Sequence, residues 1–205
     1  LKKKYSKGSL KMKIRSEYGV LSNVINTITE KENIDYIIMG TKGASGIKKM
    51  LVGSNTADVV KTVKSPIIAI PKKTAFLPPV KIAFATDHKQ LKNETLLSPL
   101  AELVKQFHSK LYIVYVHPKE KIFQLANANG SIQLHKIDKK IQTNYYNIEN
   151  KNVVEGIEQF VKNYRIDMLA LVSKEHRFFE NIFRTSVSQE ISMLTDIPLL
   201  ILHEN

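Results

Sequence analysis

The sequence repeats itself at a shift of 132 residues, and no gap is needed to align the two copies. Asp35 falls on Asp167, and the strand-like segment 66–70 falls on 198–202. Upstream of these segments, apolar residues at helical spacing coincide as well, since Leu21 falls on Val153. The repeat is most simply interpreted as two copies of one domain.

Each copy alternates short apolar runs with amphipathic segments. Near-continuous apolar strands separated by amphipathic helices are typical of a parallel sheet that is covered on both faces. The fold class predicted is α/β, with a doubly wound parallel sheet and two repeated domains. In the second copy we expect strands at 82–86, 111–116, 143–148, 168–172 and 198–203, helices near 96–107, 153–164 and 186–194, and an uncertain stretch up to about 140.

The shift also predicts the domain boundaries. Leu1 falls on Gln133, so a counterpart of residues 81–132 is not contained in these 205 residues. We therefore expect 1–73 to form the C-terminal half of a first domain and 80–205 to form the second. Residues 74–79, which end in two prolines, are the expected linker.

The positive charge is concentrated in the first copy. The chain has 31 Lys and Arg against 19 Asp and Glu, a net charge of +12, and residues 1–79 hold 15 of the bases but only 5 of the acids. A basic segment suits phosphate-bearing partners, and nucleic acid is one such partner. No apolar run is long enough for a membrane helix, and the absence of cysteine fits a reducing cytoplasm.

A glycine-rich loop follows the strand of the first copy. Four of the 8 glycines of the chain lie within fourteen residues, namely Gly40, Gly43, Gly46 and Gly53. Glycines at the carboxyl end of a parallel strand let the backbone approach phosphate oxygens, and a helix that begins there attracts anions. The alternative is a tight connection in which Ser54 merely caps a helix. The loop contains neither a Walker motif nor a dinucleotide-binding G-x-G-x-x-G motif.

The spacing Gly40-x2-Gly43-x9-Gly53-Ser54, between a D-x-I-x-M-G strand and an S-P-I-I-A-I strand, closely resembles the ATP-binding signature of the universal stress protein family. The resemblance covers nearly the whole chain and implies an adenine-nucleotide alpha-hydrolase-like fold in a tandem protein. It implies that ATP, possibly with Mg, is held by the loop, while adenine is held by a part of the first domain that precedes this sequence. The implied contact residues are Gly40, Thr41, Lys42, Gly43, Gly53, Ser54, Asn55 and Thr56.

The second copy departs from this signature. Its residues at the three glycine positions are Val172, Glu175 and Thr185. Side chains at these positions obstruct a phosphate, and Glu175 adds a negative charge, so the second copy is predicted not to bind nucleotide. Asp87 is retained at the end of its first strand and is interpreted as a turn residue. The resemblance also favours pairing through the final strands, 66–71 and 198–203, either between the copies or in a homodimer.

The function expected is that of a cytoplasmic, nucleotide-binding stress-response or regulatory protein. No histidine pair, paired carboxylates or nucleophile motif stands out, so neither a catalytic residue nor a metal site is expected. Slow ATP hydrolysis is the competing enzymatic function. Two non-enzymatic functions also compete with the expected one, namely that of a docking protein of the same family without ATP and that of a nucleic-acid-binding protein. Of these two, nucleic-acid binding is the less favoured.

Overall fold

The protein is described by a computed structural model that covers residues 11–41, 54–72, 74, 77–87, 91, 93–118, 141–174 and 197–204. Helices and strands alternate along most of these ranges. In chain order they are α1 (Leu21–Lys31), β1 (Ile37–Gly40), α2 (Ser54–Thr62), β2 (Ile67–Ile70), β3 (Lys81–Thr86), a short 3-10 helix (Glu94–Leu97), α3 (Ser98–Phe107), β4 (Lys110–His117), β5 (Thr143–Glu149), α4 (Val153–Tyr164), β6 (Met168–Lys174) and β7 (Leu199–Glu204).

All seven described strands form one sheet, in the order β1-β2-β7-β6-β3-β4-β5. Neighbouring strands run parallel everywhere except between β2 and β7, which pair antiparallel with Ile67 opposite Ile201 and Ala69 opposite Leu199. The two strands of the first copy therefore join the five strands of the second through their last strands. As a result, β1 and β2 run in the opposite direction to β3–β7, and their carboxyl ends lie where the amino ends of those strands lie.

The strands are buried because helices cover both faces of the sheet. On one face α2 packs Val59 and Val63 against Ile67, and α4 packs Ile157 and Phe160 against β3, β4 and β6. On the other face α3 covers the centre of the second copy, where Phe84 is only 1% exposed. The apolar runs in the sequence follow from this arrangement, since a strand covered on both faces has little room for polar side chains.

Local sequence signals fix the ends of the helices. The Asn152 side chain caps α4 by accepting hydrogen bonds from the N–H groups of Val154 and Glu155, at 3.0 and 3.3 Å. At their C-termini, α3 and α4 end on His108 and Arg165 in the left-handed conformation, with φ of 53° and 51°. Both helices are thereby closed by a single residue that turns the chain into the next strand.

The predicted α/β class is confirmed, and every predicted strand lies within two residues of an observed one. The sheet is not parallel throughout, because the two copies meet in antiparallel orientation at β2 and β7. The uncertain stretch before residue 140 falls largely outside the described residues, as does the helix expected at 186–194. None of the described helices is long and apolar enough to span a membrane.

Candidate functional site

The two ends of the glycine-rich loop lie at the carboxyl end of β1. Gly40 is the last residue of β1 and is exposed, while Ser54 is the first residue of α2. Thr41 follows directly on Gly40, is only 6% exposed, and donates its backbone N–H to the carbonyl oxygen of Ile70 at 3.0 Å. This hydrogen bond keeps the backbone of Gly40 in line with β2 up to the point where the loop departs.

Thr56 connects the start of α2 to the end of β1. Its hydroxyl donates a hydrogen bond to the carbonyl oxygen of Gly40 at 2.9 Å, and the residue is 4% exposed. Because the hydroxyl proton is used in this bond, Thr56 can donate only its backbone N–H to an anion. Asn55, by contrast, is exposed at the same helix end.

The first turn of α2 has the properties of an anion site. Its backbone N–H groups have no partner within the helix, and the helix dipole makes this end partially positive. No acidic residue lies in the first turn. The site can therefore attract a phosphate through these backbone N–H groups.

Helix α2 is held firmly behind this site. Val59 and Val63 are 0% and 1% exposed, and the buried Ser22 of α1 donates its hydroxyl to the Asp58 carboxylate. His203 of β7 places Nε2 2.8 Å from the Val60 carbonyl oxygen. Burial lowers the pKa of His203, so its imidazole favours the neutral form, in which Nε2–H donates to Val60.

The structure brings together five of the eight residues expected at the site. These are Gly40, Thr41, Ser54, Asn55 and Thr56. The remaining three, Lys42, Gly43 and Gly53, lie outside the described residues.

A second cluster of polar side chains lies at the carboxyl ends of β3 and β4. The Tyr115 ring stacks on the imidazole of His117 with centroids 5.2 Å apart. The pKa of Tyr115 is raised, mainly by burial and further by the charge of Asp87. His117 is only 3% exposed, which the sequence did not indicate beyond the expectation that a strand ends there.

Because β2 and β7 are antiparallel, the carboxyl end of β3, which Asp87 follows, lies at the opposite end of the strands from Gly40. Asp87 therefore cannot contribute to a nucleotide site at Gly40. Within the described ranges, no group of three or more His, Asp or Glu side chains is close enough to hold a metal ion.

Comparison with known proteins agrees with this architecture. The sequence model of the universal stress protein family matches residues 2–71 and, separately, 80–203. Two universal stress proteins of Methanocaldococcus jannaschii are 32% identical over 75 residues and 36% identical over 63 residues. These matches cover 37% and 30% of this chain, and only 46% and 37% of the lengths of those relatives.

Among solved structures, a universal stress protein from Archaeoglobus fulgidus superposes with a TM-score of 0.65 at 18% identity. The superposition covers 89% of this chain and 67% of that one. At this identity the likeness concerns the fold, and the family follows from the sequence matches, which together span most of the chain. The chain belongs to the universal stress protein family.

Proposed function

We propose that this protein binds an adenine nucleotide, with ATP as the expected ligand, and acts as a regulatory protein rather than an enzyme. The phosphates would lie against the first turn of α2 and the end of β1. The observation that carries the proposal is the hydrogen bond from Thr56 to the Gly40 carbonyl, which holds the helix N-terminus beside the exposed strand-end glycine. Lys42, Gly43 and Gly53 belong to the same loop and would complete its contacts.

The proposal includes a tandem organisation. Residues 1–73 would be the C-terminal half of a first universal-stress-type domain, 74–79 a linker, and 80–205 a second domain without a nucleotide loop. Two separate family matches support it, as does the pairing of the two final strands, β2 and β7, between the copies. This pairing gives the chain the geometry of an internal pseudo-dimer. A cytoplasmic location is part of the same proposal, and the absence of cysteine suits it.

A Gly40→Val variant tests the site. Val172 occupies the same position of the repeat in β6, where it is buried without disrupting the strand, so a valine is compatible with the fold at this position. Its Cβ would nevertheless crowd the strand-end backbone, which the phosphate oxygens must approach closely in this proposal. We expect ATP affinity measured by isothermal titration calorimetry to fall at least about tenfold, which corresponds to the loss of one charge-assisted hydrogen bond.

The matched control is Ile38→Val, two residues earlier on the same strand. Ile38 is 68% exposed and lies two residues before the end of β1, outside the loop that would contact the phosphates, so this change should leave ATP affinity within about twofold. No measurable heat with the unaltered protein would refute nucleotide binding. Equal losses of affinity in both variants would refute the placement of phosphate at Gly40.

A further inference from the structure

Two polar side chains join the copies across the junction of β2 and β7, one on each face of the sheet. On the face covered by α3, the Tyr36 hydroxyl of the first copy donates to the carbonyl oxygen of Pro99 at 2.7 Å. On the face covered by α2, His203 of the second copy places Nε2 2.8 Å from the carbonyl oxygen of Val60. Each contact ties a helix of one copy to a residue in or beside a strand of the other.

His203 caps the C-terminal end of α2. The last carbonyl oxygens of a helix find no N–H group within the helix and need a partner from outside. The N–H group of Val63 closes the last turn by donating to the Val59 carbonyl at 2.9 Å. The next carbonyl oxygen, that of Val60, is the one that His203 contacts. Because a carbonyl oxygen can only accept, Nε2 carries the proton and donates it in this bond.

The other ring nitrogen of His203 has no such partner. Its Nδ1 atom is buried and makes no hydrogen bond to any described residue. Continuation of the β2–β7 register places the residue level with Ser65. The carbonyl groups of Val60 and Ser65 favour the charged imidazole, but burial outweighs them and lowers the pKa of His203. The buried position of the ring therefore suits the neutral form and not the protonated one.

Nearby carboxylates do not offset this burial in the described part of the chain. The ionisable side chains on α2, β2, β6 and β7, and directly after α2, are those of Asp58, Lys61, Lys64, Lys174 and Glu204. The Asp58 carboxylate accepts from Ser22, and strand alternation directs Glu204 to the other face of the sheet from His203. The lysines are positive and disfavour a further positive charge.

The contact on the opposite face does not respond to acid. Burial, together with the negative charges of Glu102 and Asp35, raises the pKa of Tyr36 to about 12. The Tyr36 hydroxyl therefore keeps its proton, and its bond to Pro99, at any lower pH. A fall in pH from neutral thus acts on the α2 face of the junction alone.

We infer that His203 is an acid-sensitive latch between the two copies. In its neutral form it holds the last turn of α2 against β7. When it is protonated it gives up this buried position, and the C-terminal end of α2 opens locally while the bond of Tyr36 and the pairing of β2 with β7 persist. The latch needs no nucleotide, so it stands or falls separately from the proposed function.

Amide hydrogen exchange in the ligand-free full chain tests the latch. The Val63 amide reports on the last turn of α2, because its N–H group is bonded to Val59. After correction for intrinsic exchange, its opening constant should rise severalfold from pH 7.0 to 5.5, and by at most about eightfold, since the open imidazole has the ordinary pKa of about 6.5. At both pH values this constant should exceed the global unfolding constant, obtained from urea unfolding, by at least about tenfold.

His203→Gln keeps an N–H donor but does not titrate, so the Val63 opening constant should change by less than about twofold between the two pH values. The matched control is Glu204→Gln, which removes the neighbouring titratable group on β7 and should keep the full rise. Should His203→Gln not fold, nitrogen chemical shifts of the imidazole in the unaltered chain decide. They should show the Nε2–H form at pH 7.0 and a titration midpoint below about 6.5.

Four results would overturn the latch. The first is an opening constant at Val63 that does not rise between pH 7.0 and 5.5, and the second is an equal rise in His203→Gln. The third is a Val63 opening constant equal to the global unfolding constant, because acid would then destabilise the whole fold without a local opening. The fourth is a titration midpoint of His203 at or above about 6.5.

Discussion

Replacing Gly156 with alanine should change the free energy of unfolding in two opposite ways, through a gain in helix propensity and through a steric clash. Gly156 lies within α4, where alanine favours helix formation by about 0.8–1.0 kcal/mol. A Cβ at this position would lie 2.6 Å from Cγ1 of Val116 and 3.2 Å from its Cγ2. A χ1 rotation of Val116 that turned its Cβ hydrogen toward the new Cβ would have to place a methyl group elsewhere in its packed surroundings, since Val116 is buried. Asn150 Cβ closes the remaining side at 3.2 Å.

We expect the steric effect to exceed the gain in helix propensity. Val116 is 7% exposed, so neither α4 nor β4 can move apart without losing buried contacts. Overpacking of this kind costs about 1–3 kcal/mol, which leaves Gly156→Ala less stable by about 1 kcal/mol after the helix gain is subtracted.

Urea unfolding followed by tyrosine fluorescence measures this, since Tyr112, Tyr146 and Tyr164 form an aromatic cluster and the chain has no tryptophan. The control is the same change in a Val116→Ala background, where both contacts with Val116 methyl groups are absent and only the 3.2 Å approach to Asn150 Cβ remains, so the alanine should stabilise by up to about 1 kcal/mol. Whether Gly156→Ala raises or lowers the free energy of unfolding therefore depends on Val116. A stabilising effect of Gly156→Ala in the unaltered chain, at constant m-value, would show that the helix is free to shift and would refute the reasoning.

Two further predictions concern the first copy and its junction with the second. Thr56→Val removes the hydroxyl that is bonded to Gly40 and should lower the free energy of unfolding, measured in urea, by about 1 kcal/mol. Thr56→Ser keeps this hydrogen bond and should retain more stability. Equal losses in the two variants would contradict a role for the hydroxyl. Because burial lowers the pKa of His203, the unfolded chain binds this proton more readily, so stability should fall as the pH drops below about 6.5 toward the folded pKa. His203→Gln should remove that part of the loss between pH 7 and 5, and parallel pH profiles of the two proteins would contradict it.

The sequence predicted β4 and β6 well because helices cover their apolar runs on both faces. Residues 111–116 and 168–172 contain almost only apolar side chains, and their central residues are buried in β4 and β6. The helix predicted at 153–164 coincides with α4, since Asn152 provides a cap at the point where the apolar periodicity begins.

The pairing of β2 with β7 shows where sequence patterns carry less information. Apolar runs such as 67–70 and 199–202 would suit either parallel or antiparallel neighbours, and the family resemblance left pairing within the chain and between chains both open. The choice depends on how Ile67 and Ile201 pack together with Val59 and Val63 on one face of the sheet. Such contacts join residues more than a hundred positions apart, which local periodicity does not encode.

At the candidate site the sequence placed Gly40 and the start of α2 at the correct end of the sheet. It did not predict that the Thr56 hydroxyl would be bonded to the Gly40 carbonyl, since a threonine in a first helical turn has several possible acceptors. It also gave no indication that His117 is buried beside Tyr115. Both contacts depend on the spacing between neighbouring elements.

The antiparallel junction between β2 and β7 has a mechanical consequence. Main-chain pairing across this junction connects the two copies directly, so their described strands form one continuous sheet. A rotation of one copy against the other would have to break the pairing of Ile67 with Ile201, whereas a small bend of the sheet would not. Any strain produced at Gly40 would thus spread as elastic deformation of a continuous sheet into β7 and β6.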